Sequence, residues 1–116
     1  WRFLGHTLFI WVIYVAFFGL CFFSLESTKV VPFGGILIGF IAGTLGIMFT
    51  NGGMGAYPML VGMVITYYLG ETLGEEEAKG VGNALGMMIW STQTIMMIVL
   101  GLISLLLVQR SKKAQT

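Results

Sequence analysis

Long apolar runs alternate with short polar ones along the chain, and this pattern predicts four helical segments. The predicted helices cover about 7–25, 33–49, 57–69 and 74–108, and the apolar run of the last one begins at Ala84. At 1.5 Å per helical residue, the first and last runs are long enough to cross a hydrocarbon core of about 30 Å. The middle two lie at or below the short limit of a membrane span. A polar, basic tail follows over 109–116.

The stretch 50-TNGGMGAYP-58 breaks the apolar pattern between the second and third segments. Each glycine in a helix interior costs about 1 kcal/mol, so this stretch ends one helix before the next begins. Unpaired backbone groups cannot face lipid, because each costs several kcal/mol there. Two interpretations follow. The stretch is a tight cytoplasmic turn between two short spans, or it joins a re-entrant or broken helix pair and lines a cavity.

The second interpretation makes this loop a candidate binding site. Glycine-rich loops and helix N-termini present free N–H groups, which attract anions such as phosphate. The candidate cavity residues in the loop are Asn51, Gly52, Gly53, Gly55 and Tyr57.

Composition indicates that most of this chain lies in a membrane. Apolar residues make up 57% of the sequence and charged residues only 9%, compared with about 25% charged in an ordinary soluble domain. So few charges cannot cover a water-facing surface, and we expect an all-α integral membrane protein. The net charge of +1 gives no indication of nucleic-acid binding.

Small and polar residues within the apolar runs have two interpretations. Gly35, Gly39 and Gly43 form a G-xxx-G-xxx-G ridge, which predicts close helix packing in a membrane. Within 91-STQT-94, Gln93 and Thr94 either form hydrogen bonds between helices or line a substrate cavity.

The titratable residues do not form a catalytic or metal-binding pattern. No Ser–His–Asp or Cys–His pairing is evident, and His6 is the only histidine. Glu75, Glu76 and Glu77 are consecutive, so they fan around a helix start and suit the positive end of its dipole. We therefore expect no catalytic residue, metal site or cofactor in these residues.

Charges near the segment ends predict the orientation in the membrane. Arg110, Lys112 and Lys113 follow the last segment and Arg2 precedes the first, so both termini are expected on the cytoplasmic side. The acidic stretch 70–80 would then lie outside. Four spans and two spans with a re-entrant hairpin both fit this orientation.

The order of these motifs resembles the C-terminal part of the lysylphosphatidylglycerol synthase transmembrane region family, also called flippase-like domain proteins. Gly52, Gly53, Gly55 and Tyr57 resemble the glycine loop of that family. Residues 91–94 resemble its later polar helix. The chain departs from the family at Tyr57-Pro58, where many members carry Glu or His. The aminoacyl-transferase domain of some members is absent from these residues.

The resemblance implies a bacterial inner-membrane protein that handles or translocates a polar-headed lipid. Its partners would be membrane lipids and further N-terminal transmembrane helices. The chain begins at Trp1 rather than Met, so we expect residues 1–116 to be a C-terminal fragment of one transmembrane domain. Two alternatives are a structural or assembly subunit without transport activity, and the non-catalytic part of a membrane-embedded lipid transferase. The sequence does not predict the oligomeric state.

Overall fold

The chain folds into four α-helices joined by short links. The computed structural model describes the backbone of residues 1–114 and the side-chain surroundings of residues 1–111. There is no strand among residues 1–114, so the predicted all-α class is confirmed. The helices are α1 (Arg2–Phe22), α2 (Phe33–Phe49), α3 (Ala56–Leu73) and α4 (Glu75–Ala114). Two 3-10 turns, Glu26–Thr28 and Asn51–Gly53, lie in the links.

The helix bounds follow the apolar pattern closely in α2 and less closely elsewhere. α1 starts at Arg2 and ends at Phe22, where the Thr28 hydroxyl donates a hydrogen bond of 2.6 Å to the Phe22 carbonyl. α3 continues past the predicted 57–69 segment to Leu73. α4 continues through 109–114 of the predicted tail, and residues 115–116 lie outside the described part.

A single residue links α3 to α4. Gly74 has φ 86° and ψ 153°, a backbone conformation that is accessible essentially only to glycine. The chain therefore reverses direction at once, and α3 lies antiparallel against the first half of α4. Glu75, Glu76 and Glu77 occupy the first turn of α4, as the charge pattern predicts.

α3 and α4 touch through their backbones. A Cβ added at Gly82 would lie 2.7 Å from the Gly62 carbonyl oxygen, and one at Gly86 would lie 2.7 Å from the Pro58 Cα. Atoms cannot approach so closely, so only glycine is compatible with this packing at both positions. Small residues allow the same close approach between helices in membranes.

The glycine ridge of α2 lies in contact with both neighbouring helices. Gly35, Gly39 and Gly43 are all buried. Built Cβ atoms would meet Tyr68 of α3 at Gly35, Phe18 of α1 at Gly39 and Tyr57 of α3 at Gly43. The ridge thus gives the aromatic rings of α1 and α3 room to pack on α2.

The second half of α4 extends away from the other helices. The molecule measures 64 × 31 × 28 Å, and α4 alone, at 40 residues, is about 60 Å long. Every residue of 95–111 is exposed. Two helices, Arg2–Phe22 and Glu75–Ser111, are long and apolar enough to cross a membrane, while the apolar Phe33–Phe49 is shorter.

Candidate functional site

The glycine loop is tied to the middle of α4. Gly52 has φ 72° and ψ 17°, the left-handed conformation that glycine adopts without steric cost. Its carbonyl accepts a hydrogen bond of 2.8 Å from the Trp90 indole N–H. At the start of the loop, the Thr50 hydroxyl donates to the Gly46 carbonyl at 2.7 Å. These bonds satisfy two backbone groups and fix the loop level with Trp90.

The predicted loop residues are not gathered around one cavity. Asn51, Gly52 and Gly55 are exposed. Gly53 is buried, and a Cβ there would lie 3.0 Å from the Ile47 side chain and 3.1 Å from that of Tyr57. Among the five loop candidates, Tyr57 alone lines the pocket that all four helices border.

This pocket lies where the four helices meet and has a volume of about 160 Å³. Tyr57 of α3 and Gln93 of α4 both line it, so the structure brings together two residues from separate sequence motifs. Thr44 of α2 adds a hydroxyl, and Ile47 and Ile89 add apolar wall.

Aromatic rings form most of the remaining wall. The Phe40 ring stands at 84° to Trp11, with centroids 6.1 Å apart, and at 73° to Phe18, with centroids 5.7 Å apart. These separations are typical of edge-to-face aromatic pairs. The aromatic lining residues are Trp11, Tyr14, Phe17, Phe18, Phe40 and Tyr57.

Four polar side chains of the pocket form no side-chain hydrogen bond within residues 1–111: Trp11, Tyr14, Tyr57 and Gln93. Tyr57 is only 4% exposed as a residue, but no fully buried side-chain N or O atom of the described residues lacks a hydrogen bond, so its hydroxyl borders open space. The Thr44 hydroxyl donates to the Phe40 carbonyl at 2.9 Å. Tyr57 and Gln93 are therefore available to a ligand.

The lining residues include no acid, base or histidine. The described residues also contain no group of three His, Cys, Asp or Glu side chains that could hold a metal. His6 does not line the pocket, and its Nδ1 lies 2.6 Å from the Arg2 carbonyl oxygen of its own helix. The Glu26–Lys29 ion pair, at 2.7 Å, joins exposed groups away from the pocket. Tyrosine, threonine and glutamine side chains supply the hydrogen-bonding groups of the pocket, so it can bind a polar group of a ligand.

Sequence reasoning did not single out Trp90 or the aromatic wall of α1. Trp90 directly precedes the polar stretch 91–94, and an indole N–H beside polar residues in an apolar helix indicates a hydrogen-bonding role. Gly82 and Gly86 were also overlooked, although their four-residue spacing repeats that of the ridge in α2. In α1, aromatic residues occur on every face, so periodicity does not distinguish those that line the pocket.

Comparison of the chain with protein-family models, with curated proteins and with solved structures found no match. The resemblance to flippase-like proteins therefore stays a prediction from the short motifs at 50–57 and 91–94.

Proposed function

We propose that this chain is a membrane protein whose aromatic pocket binds the polar head of a lipid. The observation that carries the proposal is the meeting of Tyr57 and Gln93 in one pocket, with a phenol and an amide free of protein partners. Both groups can therefore donate a hydrogen bond to a ligand that enters the pocket, or accept one from it. The flippase-like resemblance points to a polar-headed lipid as that ligand.

The placement of apolar surface supports membrane insertion with α1 and α4 as the spanning helices. Both are long and apolar enough to cross. Beyond Trp90, α4 continues for about 27 Å to Val108 through residues without charge. In the opposite direction from Trp90, α2 and α3 pack against the first half of α4, and α2 adds about 26 Å of apolar helix.

The loop 50–55 therefore lies part-way along the apolar surface. If it stood at the membrane boundary, about 27 Å of apolar helix would extend into water. A bilayer centred on the apolar surface places the loop inside, as a re-entrant hairpin whose backbone is shielded by Trp90 and α4. In this proposal the loop enters from the acidic side, with the stretch 70–80 outside and both termini in the cytoplasm of a bacterial inner membrane.

Lipid binding to the purified protein tests the proposed pocket. Native mass spectrometry of the delipidated protein, with lipids that share acyl chains but differ in headgroup, measures binding directly. Gln93→Leu removes the amide and keeps the size, so we expect headgroup selectivity to be lost. Gln109→Leu is the matched control, because Gln109 is exposed on the same helix beyond the bundle. Equal binding to both variants would overturn the proposed pocket.

Thiol labelling tests the proposed depth of the loop. A cysteine at Asn51, in a Cys21→Ser background, is compared with a cysteine at Ser111 in intact cells and inverted vesicles. A re-entrant loop predicts slow labelling at 51 and a blocking effect of added lipid headgroups. Labelling at 51 from the cytoplasmic side, as fast as at 111, would show a surface turn instead.

An assembly role is the second candidate, and glycine packing favours it. A Cβ would lie within 3.4 Å of a neighbouring helix at eight glycines: Gly35, Gly39, Gly43, Gly46, Gly53, Gly62, Gly82 and Gly86. A chain that served only to hold helices together would need this packing and no ligand. In that case Gln93→Leu would change the stability or assembly of the protein and leave lipid selectivity as it is.

A further inference from the structure

The residues of the pocket wall favour a cationic headgroup over an anionic one, an inference that rests on the proposed function. Six of its ten lining residues are aromatic, and none is charged. The polar side chains of its wall without a protein partner are two phenols, one indole N–H and one amide. A site that recognises phosphate requires cationic side chains or a cluster of free backbone N–H groups. The pocket has no Lys or Arg, and the exposed glycines of the loop do not line it. The phosphate of a lipid is therefore not the group that enters.

Aromatic walls favour cations. The face of each ring carries negative charge density and attracts a cation within about 6 Å of the ring centre, most strongly where water is excluded. The Phe40 ring stands close to perpendicular to the rings of Trp11 and Phe18, with centroid separations of 6.1 and 5.7 Å. Trp11, Phe40 and Phe18 therefore contribute rings of different orientation to the wall of the same pocket.

The type of cation follows from its own hydrogen-bonding needs. A primary ammonium brings three N–H donors and a tightly held hydration shell. Three acceptors would have to converge on one nitrogen in a wall that is mostly hydrocarbon. A quaternary ammonium has no N–H group, and its methyl groups pack against ring faces without leaving a donor unpaired.

The size of the pocket matches such a group. A protein cavity of about 150 Å³ holds one benzene molecule, and this pocket has a volume of about 160 Å³. A trimethylammonium group and the carbons next to it occupy a similar space. The Gln93 amide and the Tyr57 hydroxyl remain to bind an oxygen a few bonds from the nitrogen.

We propose that the aromatic pocket binds a quaternary ammonium group of the choline type. The group is carried by a lipid headgroup or by a free small molecule, and both present the same chemistry to the rings.

Calorimetry on the purified protein in a nonionic detergent tests the charge requirement. Choline is compared with its uncharged carbon analogue, in which a tert-butyl group replaces the trimethylammonium group, and with ethanolamine. We expect choline to bind at least about tenfold more tightly than either, because the shape is shared with the first and the charge with the second. Equal or tighter binding of the uncharged analogue would overturn the proposal.

A pair of aromatic variants tests the location. Tyr14→Leu removes one partly exposed ring of the wall, and we expect choline to bind about five to thirty times more weakly while the carbon analogue is unaffected. Phe3→Leu is the matched control on the same helix, because Phe3 is 80% exposed and lies outside the pocket. Thermal unfolding of both variants without ligand verifies that each is folded. If both substitutions weaken choline binding equally, the pocket is not the site.

Lipid nanodiscs separate the two sources of the group and the two proposals. Lipids with choline, ethanolamine and glycerol headgroups on the same acyl chains are compared with free choline. Preference for the choline lipid supports a lipid source, and binding of free choline without lipid preference supports a small-molecule source. Gln93-dependent lipid binding without headgroup preference, together with no binding of free choline, overturns this inference and leaves the proposed function standing.

Discussion

At the scale of single residues, the fold depends on glycines that leave no room for a side chain because another helix backbone lies against them. Gly82 and Gly86 bring α4 against Gly62 and Pro58 of α3, with backbone atoms 2.7 Å from the built Cβ positions. Gly46 of α2 lies in the same way against the backbone of Tyr57, at 3.0 Å. Because the obstructing atoms belong to the backbone, a rotamer change cannot relieve the contact. Substitutions here therefore test the packing more directly than changes to large apolar residues.

Gly86→Ala is expected to destabilise the protein by about 1–3 kcal/mol, because the added methyl group overpacks the interface with Pro58. Gly80→Ala is the matched control on the same helix, since nothing lies within 4 Å of its Cβ position. That change should be neutral or stabilise by up to about 1 kcal/mol through helix propensity. Denaturant unfolding in detergent, followed by circular dichroism, measures both. Equal effects would show that α3 and α4 are not packed at Gly86.

Trp90→Phe is expected to release the glycine loop while leaving the helices folded. It removes the donor to the Gly52 carbonyl and costs about 0.5–1.5 kcal/mol. The measurable consequence is faster labelling of a cysteine at Asn51 in the Cys21→Ser background. Trp1→Phe, at a fully exposed residue, should leave the labelling rate unchanged. An unchanged rate in Trp90→Phe as well would show that the indole does not hold the loop.

Residue spacing predicted part of this picture. The ridge of Gly35, Gly39 and Gly43 was visible in the sequence because its period matches one face of a helix. The contacts of Trp90 were not, because its partner Gly52 lies 38 residues away and local patterns carry no information about such pairs. The same reason hid the association of Tyr57 with Gln93, although each was a candidate separately.

At the scale of elements, glycines with positive φ determine how the helices connect: Gly52, Gly53 and Gly55 lie in the loop and Gly74 at the α3–α4 corner. Gly52 has a left-handed conformation with ψ 17°, whereas Gly74 has ψ 153°. Asn tolerates the first conformation through its short polar side chain, but the second is closed to all side chains. The loop and the helix corner therefore respond differently to the same substitution.

Gly74→Ala and Gly74→Asn are both expected to destabilise the protein by about 1–3 kcal/mol, because neither side chain fits the backbone at the α3–α4 corner. Gly52→Asn should cost less than Gly52→Ala, for which about 1–2 kcal/mol is expected. Space is not the cause in either case, since nothing lies within 4 Å of the two Cβ positions. Unfolding midpoints of the four variants test this, and a rescue by Asn at residue 74 would contradict it.

Helix bounds were predictable where apolar and structural limits coincide. α2 covers Phe33–Phe49, as the apolar run predicts, because Pro32 precedes it and the glycine loop follows. α1 starts earlier than its apolar run and α4 continues through the basic tail. Arg, Lys and Gln are good helix formers, so hydropathy alone misses the end of a helix that continues past its apolar part.

At the scale of the whole molecule, the second half of α4, from residue 95 to residue 111, does not pack on the four-helix core. The buried core involves Phe18, Val61, Ile65, Leu85 and Ile89, and residues 95–111 are all exposed and lie outside it. Stability of the bundle and retention in the membrane should therefore be separable by shortening the chain.

A chain that ends at Met97 is expected to keep its unfolding free energy in detergent within about 1 kcal/mol of the full chain, because residues 98–111 are exposed. A chain that ends at Met88 loses Ile89 and Trp90 and should be less stable by at least about 3 kcal/mol. The Met97 chain should nevertheless be extracted more readily from membranes by alkaline carbonate. A large loss of stability in that chain would show that distal α4 packs on the bundle.

The pocket itself is a property of the whole molecule, which is why the sequence predicted its members only in part. Gln93 was a candidate because a polar group is costly in an apolar run, and Tyr57 because it belongs to the glycine loop. Trp11, Tyr14 and Phe40 did not, since an aromatic residue in an apolar helix is equally at home against lipid, core or ligand.

The unbroken length of α4 also has a mechanical consequence. α3 packs against the first half of the helix, up to about Trp90. The helix continues for about 36 Å beyond Trp90 to Ala114, and its residues 95–111 are exposed. A tilt of roughly 10° about that point displaces the basic end by about 6 Å. Gln93 lies next to the fulcrum and lines the pocket. A ligand that changes the width of the pocket and so tilts α4 near Gln93 is therefore expected to move the C-terminal end of this helix by several ångström.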